Sequence, residues 1–455
     1  DKAWHINSLV DWLTITPNSG TLLADTEITL QVIPENLQAL SNGHYDTEIQ
    51  LTIYEQEYTY TTSLDLTLPA IASVVPSVVY DEDVVQHTLY GEQLSDTMVL
   101  TIQNEVVDYE IVDETKLTFN TPDLSLGEYD LVLTQANGNI VNNLSFYVLA
   151  AQDHQADEWS FRSYGYKSIQ IPWRNSILFY KNNGAKELSF DDSGQSMIRQ
   201  VNIEAEDLFL TADGKELQEI DYETLVRYDA KTLTKLPELP LEGIQNFHHQ
   251  IPFADGKVLM GGGTDEYWYP SITAIPSYAI DNKRYTSNEY GTQVIVSENT
   301  ALIETTTPDK IFSLKVAELA YSEITIAETG LGRAQTASPS GKIWALGHGI
   351  YKDDCDHLGL LELPAGNVKV FESVISRDES KIYVRLFTPD SQSNDNFREN
   401  KIRVYQLTSG NDQYKQVDQI MLESNDGDLL DMQLSPDGNA LIINSYYRLK
   451  VIPLN

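Results

Sequence analysis

The sequence predicts an all-β protein: two small β-sandwich domains followed by a seven-bladed β-propeller. Three observations predict it. Almost every segment of the 455-residue chain alternates apolar with polar residues and is rich in Val, Ile, Thr and Tyr, the pattern of half-buried strands. No convincing amphipathic helix interrupts that pattern. From residue 160 onward a turn recurs every ~40 to 45 residues, the spacing of four-stranded blades.

The turns are Trp173-Arg174-Asn175, Ala212-Asp213-Gly214, Ala254-Asp255-Gly256, Glu298-Asn299-Thr300, Pro339-Ser340-Gly341, Arg377-Asp378-Glu379 and Pro436-Asp437-Gly438. Asp-Gly and Asn supply the positive φ that a tight hairpin turn needs, and a short apolar strand follows each turn. Successive turn centres are separated by 39, 42, 44, 41, 38 and 59 residues. The long last interval holds two polar stretches, Asp390 to Asn400 and Gly410 to Gln416, read as structureless insertions. The chain stops at Leu449-Lys450-Val451-Ile452, by position the third strand of the seventh blade, and Ser160 to Tyr164 is expected to return as its fourth strand.

Residues 159–455 are therefore assigned to the propeller and residues 151–158 to a polar linker. Residues 1–68 and 69–150 show strand patterning without the repeat, and each block has the size of a small sandwich. In the first, Asp11-Trp12-Leu13-Thr14-Ile15-Thr16-Pro17-Asn18-Ser19-Gly20-Thr21, Thr29 to Val32 and Gly43-His44-Tyr45 to Ile49 resemble a BACON domain trimmed at its N-terminus. In the second, Pro69 to Pro76, Leu89-Tyr90-Gly91-Glu92-Gln93-Leu94 and Leu126-Gly127-Glu128-Tyr129 are similar to an IPT/TIG domain, with Leu94 where that family carries Phe. The fold so implied is two Ig-like β-sandwich domains ahead of the ring. Ser435-Pro436-Asp437-Gly438 and Ser338-Pro339-Ser340-Gly341 resemble the turns of extracellular bacterial propellers. These resemblances imply a secreted or outer-surface bacterial protein, with the periplasm as an alternative, and they carry over no catalytic residue.

Composition narrows the partners. A formal charge of -38 argues against nucleic acid, whose phosphates are held by Lys and Arg, and against anionic membrane surfaces. The 68 acidic residues are spread along the whole chain, which reads first as a solvated surface and second as a source of divalent-cation sites. The single cysteine, Cys355, excludes an intrachain disulfide and a CxxC zinc cluster. No apolar run reaches the ~18 residues of a membrane span. The opening at Asp1 suggests a processed or trimmed chain.

Two loops are the richest in chemistry. Gly261 to Pro270 carries Tyr267, Trp268 and Tyr269, aromatic faces suited to stacking on sugar rings or anchoring a protein contact, or simply to plugging the ring. Gly347 to Leu358 combines Asp353, Asp354 and Asp356, which suit calcium, with His348, Cys355 and His357, which suit zinc. An ordinary solvated acidic loop is the preferred reading over either metal site, since the calcium-loop pattern D-x-[DN]-x-[DN]-G is absent. No cofactor is expected, with calcium as the alternative. His248 and His249 lie on a strand near the axis, where neighbouring residues should face opposite sides.

The reading these features support is a non-enzymatic binding or adhesion protein whose propeller loops meet a glycan or a surface protein. A propeller lyase or hydrolase using His249 or His348, and a structural subunit of a surface assembly, are the alternatives. Converging His, Arg and carboxylate groups at the axis would favour the enzyme. Oligomeric state is not legible.

Overall fold

The computed structural model describes residues 2–22, 27–37, 40, 43–80, 85–136, 138–161, 166–206, 208–221, 224–240, 335–338, 342–352, 356–366, 368–388, 397–407, 413–422, 429–445 and 447–454, and between 247 and 325 the strands by backbone alone. Among these residues nearly everything ordered is strand, with a four-residue α-helix at Pro34–Leu37 and a single 3-10 turn at Pro172–Arg174.

Residues 2–66 build a four-stranded sheet, in the order Ser19–Leu22, Lys2–Ser8, Gly43–Ile53, Gln56–Leu66, and a two-stranded one, Leu13–Thr16 with Thr29–Val32. Trp4, Ile6, Trp12, Leu13, Ile15 and Ile49 fill the space between the sheets.

The next block has two sheets. One carries Glu105–Val106, Val99–Ile102, Gly127–Thr134, Ile140–Leu149 and Val78–Tyr80; the other carries Tyr109–Asp113, Lys116–Asn120, Gln86–Glu92 and Ala70–Val75. Their alternating inward residues, among them Leu89, Leu100, Ile102, Leu117, Leu131, Leu133 and Phe146, are fully or almost fully buried in one core. Each such side chain contributes ~1.5–3 kcal/mol of burial, so the block is a sandwich with a complete core.

From Asp157 onward the described strands make seven sheets. The first holds Lys167–Ile171, Ser176–Lys181, Gly184–Phe190 and Ser196–Val201. The second holds Phe209–Leu210, Glu216–Asp221, Thr224–Asp229 and Leu239–Pro240. The third holds Phe247–Pro252, Lys257–Gly262, Tyr269–Ala274 and Ile280–Asp281, and the fourth Gly291–Ser297, Thr300–Thr305, Lys310–Lys315 and Ala320–Thr325. The fifth holds Gln335–Ala337, Ile343–Leu346, Gly349–Lys352 and His357–Leu361. The sixth holds Lys369–Ile375, Lys381–Thr388, Phe397–Gln406 and Gln416–Met421, and the seventh Leu429–Leu434, Ala440–Ser445 and Arg448–Pro453.

Where side chains are described, neighbouring sheets share cores. Leu178 and Tyr180 of the first pack with Leu217 and Tyr228 of the second, Val384 and Leu386 of the sixth with Ile350 and Leu361 of the fifth, and Ile402 of the sixth with Leu441 and Ile443 of the seventh. Ile442 and Leu449 of the seventh pack with Ile177 and Phe179 of the first. The last sheet thus meets the first, and the fold is a β-propeller with the first strand of each sheet innermost.

The outer strand of the seventh sheet is Asp157–Ser160, paired antiparallel with Arg448–Val451. The expected strand, Ser160 to Tyr164, shares only Ser160 with it, and residues 162–164 lie outside the described residues. Phe161 is 1% exposed and packs into the core between the seventh and first sheets, while its N–H donates to Tyr447 O at 2.9 Å. The second insertion is also not structureless. Gln413–Tyr414 runs parallel to His357–Leu361 as a fifth strand of the fifth sheet. Tyr414, 4% exposed, anchors it in the core between sheets five and six.

Candidate interaction face and axial carboxyl pair

The first-to-second turns, Trp173 to Asn175, Asp213-Gly214, Arg377 to Glu379 and Asp437-Gly438, cluster at one face of the ring, as the hairpin reading of the repeat requires. The second sandwich is docked there. Tyr147 stacks on Trp173 at 5.8 Å between ring centroids, with the planes 19° apart. Gly214, with φ +72, makes room for that indole, since a Cβ there would meet it at 2.9 Å. Arg377 lies over the Tyr80 ring at 4.1 Å, and its Nη2 donates to Val78 O at 3.4 Å. Lys215 Nζ donates to Asn143 O at 3.3 Å, and Lys231 Nζ pairs with Glu128 at 2.6 Å.

The linker is fastened to the same face. His154 and Asp437 are both fully buried, with Nε2 2.8 and 2.9 Å from the two carboxylate oxygens. Asp437 also accepts from Gln152 N at 3.1 Å and Ser435 Oγ at 2.6 Å. Burial alone would raise this carboxyl, but the hydrogen bonds from His154 and Ser435 hold it below the ordinary range. The Ser-Pro-Asp-Gly turn is therefore also the socket for the linker.

The opposite face carries the second-to-third hairpins. His348 sits in the two-residue turn between Ile343–Leu346 and Gly349–Lys352, half-buried, with its carbonyl accepting from Leu361 N at 2.8 Å. Asp356 falls elsewhere. Gly349–Lys352 is a strand, so the stretch from Gly347 to Leu358 is split, and Asp356 lies in the third-to-fourth connection at the other end of that strand. Four residues of strand span ~13 Å, which sets Asp356 apart from His348. The reason is local: Ile350 and Tyr351 are buried sheet residues.

Asp353 and Asp354 lie outside the described residues, as do Tyr267 and Trp268. Among the described residues no three His, Cys, Asp or Glu groups converge as metal ligands do. Tyr269 opens the strand Tyr269–Ala274 opposite Gly262, at the hairpin end of the third sheet. Tyr447, 67% exposed, lies between the second and third strands of the seventh sheet, on the same face as His348.

His249 is on the innermost strand of the third sheet, opposite Gly261, and a register shift between Phe247 and His249 breaks the strict alternation expected of the histidine pair. The same irregularity recurs between Gly291 and Gln293, Val370 and Glu372, and Leu429 and Asp431. Bulges bend a strand and re-aim side chains. His249, Gln293, Glu372 and Asp431 each stand six residues before the centre of the next turn, and in the first sheet that place is Ser168. The repeat thus puts a polar residue opposite the fifth residue of the second strand in four sheets, and Ser168 at the same sequence spacing in the first.

Three of these side chains meet. Ser168 Oγ is 3.4 Å from Asp431 Oδ2, and Glu372 accepts from Met432 N at 2.9 Å. Burial, and then the neighbouring Asp431 charge, push the Glu372 carboxyl well above its usual range. Burial raises Asp431 too, against hydrogen bonds from Met432 N–H, Glu372 and Ser168. Two carboxyls placed so favour a proton held between them. Arg385, fully buried on the next strand of the sixth sheet, offsets part of the Glu372 charge. Sequence reasoning selected His249 but missed Glu372 and Asp431; counting six residues back from each turn would have found both.

No protein-family model matches the chain, and no curated protein matches it. Among solved structures the chain is similar to a component of the mitotic checkpoint complex (12% identity, 65% of this chain and 93% of that one, TM-score 0.46). It is also similar to the RRP9 WD40 repeats (10% identity, 66% and 99%, TM-score 0.44) and to the Swd1 β-propeller domain of Myceliophteria thermophila (10% identity, 66% and 100%, TM-score 0.46). Among the described residues no helix is long and apolar enough to cross a membrane.

Proposed function

We propose that this chain is a non-enzymatic interaction scaffold acting outside a bacterial cell. In this reading the seven sheets are the seven blades of one ring, two Ig-like domains of BACON and IPT/TIG type form its stalk, and the free loop face receives a protein or glycan partner. The observation that carries the reading is the docked sandwich. It engages the first-to-second turns through Trp173, Lys215 and Arg377, which leaves the hairpin face with His348 and Tyr447 as the presenting surface.

The test compares Trp268→Ala and Tyr447→Ala with Lys215→Glu on the full chain, against an array of glycans and against proteins of the native cell surface. Binding lost in the first two and kept in the third supports the reading. Binding lost only in Lys215→Glu sinks it.

One observation favours a second reading, an enzyme acting on polysaccharide: His249, Glu372 and Asp431 occupy equivalent positions on innermost strands. Glycosidase carboxyls, however, stand ~5 Å or more apart to admit the sugar, whereas Glu372 and Asp431 are buried close together, Glu372 accepting from Met432 N at 2.9 Å and its carboxyl raised by burial and then by the Asp431 charge. The pair is better suited to clasping the sixth and seventh sheets together than to flanking a bond.

A further inference from the structure

The first domain is a sandwich with one side open. Among the described residues its larger sheet ends in the edge strand Gln56–Leu66, which pairs with Gly43–Ile53 through eleven unbroken partners, while the facing sheet has two strands. Residues 56, 58, 60, 62, 64 and 66 share the inward face. Leu66 is 8% exposed, but Tyr60 is 55% and Tyr58 43% exposed, although their cross-strand neighbours Ile49 and Leu51 belong to or pack on the core. On the facing sheet Ile28 and Leu30 are exposed as well, at 41% and 43%. The core therefore runs out where one more strand would cover it.

Edge strands of soluble proteins are normally blunted by Lys, Pro, bulges or shortness. Gln56–Leu66 has none of these: it is eleven residues long, its register is continuous, and Tyr58 to Leu64 contains no charge. Its ends carry acids, Glu55 and Glu57 at the hairpin and, at the other end, Asp65 with Asp46 of the neighbouring strand, the last two paired with His44 at 2.6 and 3.2 Å. Residues 1–68 hold ten Asp and Glu against one Lys, so a second copy of the same edge would be repelled.

We propose that the free edge of Gln56–Leu66 binds an extended segment of another protein by strand addition, the segment having alternate apolar residues flanked by Lys or Arg. Backbone hydrogen bonds along the edge provide the affinity, and the open tyrosine face reads alternate side chains. The acidic ends select the basic flanks and fix the register.

The experiment uses the full chain and a fluorescent peptide of alternating Val and Thr flanked by two Lys at each end, read by anisotropy. Expected results are saturable binding, weakening as salt rises from about 0.05 to 0.5 M, and no binding of the peptide with Glu flanks. Tyr58→Ser with Tyr60→Ser should weaken binding by roughly tenfold, about 1.4 kcal/mol. Thr61→Lys, which blocks the edge from the opposite face, should do the same if the tyrosine pair misfolds by circular dichroism. Hydrogen exchange should slow in Gln56–Leu66 on binding. Absence of binding, equal binding of both peptides, indifference to these substitutions, or a dimer of the chain that the substitutions dissolve would each overturn the proposal. None of these results bears on the hairpin face of the ring, so the two readings fail separately.

Discussion

At the scale of single residues, the chain stores ionisable groups where desolvation matters most. Glu372 and Asp431 are carboxyls whose folded pKa values lie above their ordinary ones. The folded state therefore holds more protons than the unfolded state between those values, and stability falls as pH rises through that window. Glu372→Gln keeps an acceptor for Met432 N–H and removes the charge. We expect it to raise the melting temperature at pH 8 by roughly 2–4 °C and to leave pH 4 nearly unchanged. Equal shifts at both pH values would show that the carboxyl pair is not the cause. Asp437 has the opposite sign: its depressed pKa contributes stability that is present above the usual carboxylate range and lost as pH falls through the folded value.

At the scale of elements, the parts of the ring that depart from a plain four-stranded repeat are explained by single anchors. Gln413–Tyr414 reaches across from the sixth sheet to the fifth because Tyr414 is buried there, beside Ile350 and Leu361. Tyr414→Ala removes that anchor and leaves a cavity, at a cost of about 3–5 kcal/mol. Limited proteolysis should then cut within 408–416 at protease levels the native chain resists. Unchanged cleavage would mean that the strap is held by its backbone pairing alone. The innermost strands give the second example. Their recurrent register shifts place His249, Gln293, Glu372 and Asp431 alike, and the six-residue spacing to the turn keeps the position constant from sheet to sheet.

At the scale of the whole molecule, the docked sandwich covers the first-to-second turns of the propeller. The exposed Lys231–Glu128 pair adds little, since such pairs are worth about 0–1 kcal/mol. The stacked Tyr147–Trp173 rings and Arg377 over Tyr80 are each worth about 0.5–2 kcal/mol. Trp173→Ala with Arg377→Ala should therefore release the sandwich, while the His154–Asp437 socket keeps the linker seated. Small-angle scattering should show a larger radius of gyration for this variant at an unchanged propeller melting temperature. An identical scattering curve would place the docking energy elsewhere.

Much of this was legible in the residues themselves. Turn chemistry at Asp213-Gly214 and Asp437-Gly438, period-two alternation and a constant spacing are local properties, so the all-β class and the recurring turns followed from them. What tertiary structure alone decided were pairings between distant segments: Asp157–Ser160 with the chain's end, Tyr414 with the fifth sheet, His154 with Asp437, and Glu372 with Asp431 and Ser168. The misread stretch from Gly347 to Leu358 follows the same rule, because Gly349–Lys352 is a strand only by virtue of the neighbours it pairs with. Local sequence sets what a segment can be; which segments meet depends on the burial that only the assembled ring supplies.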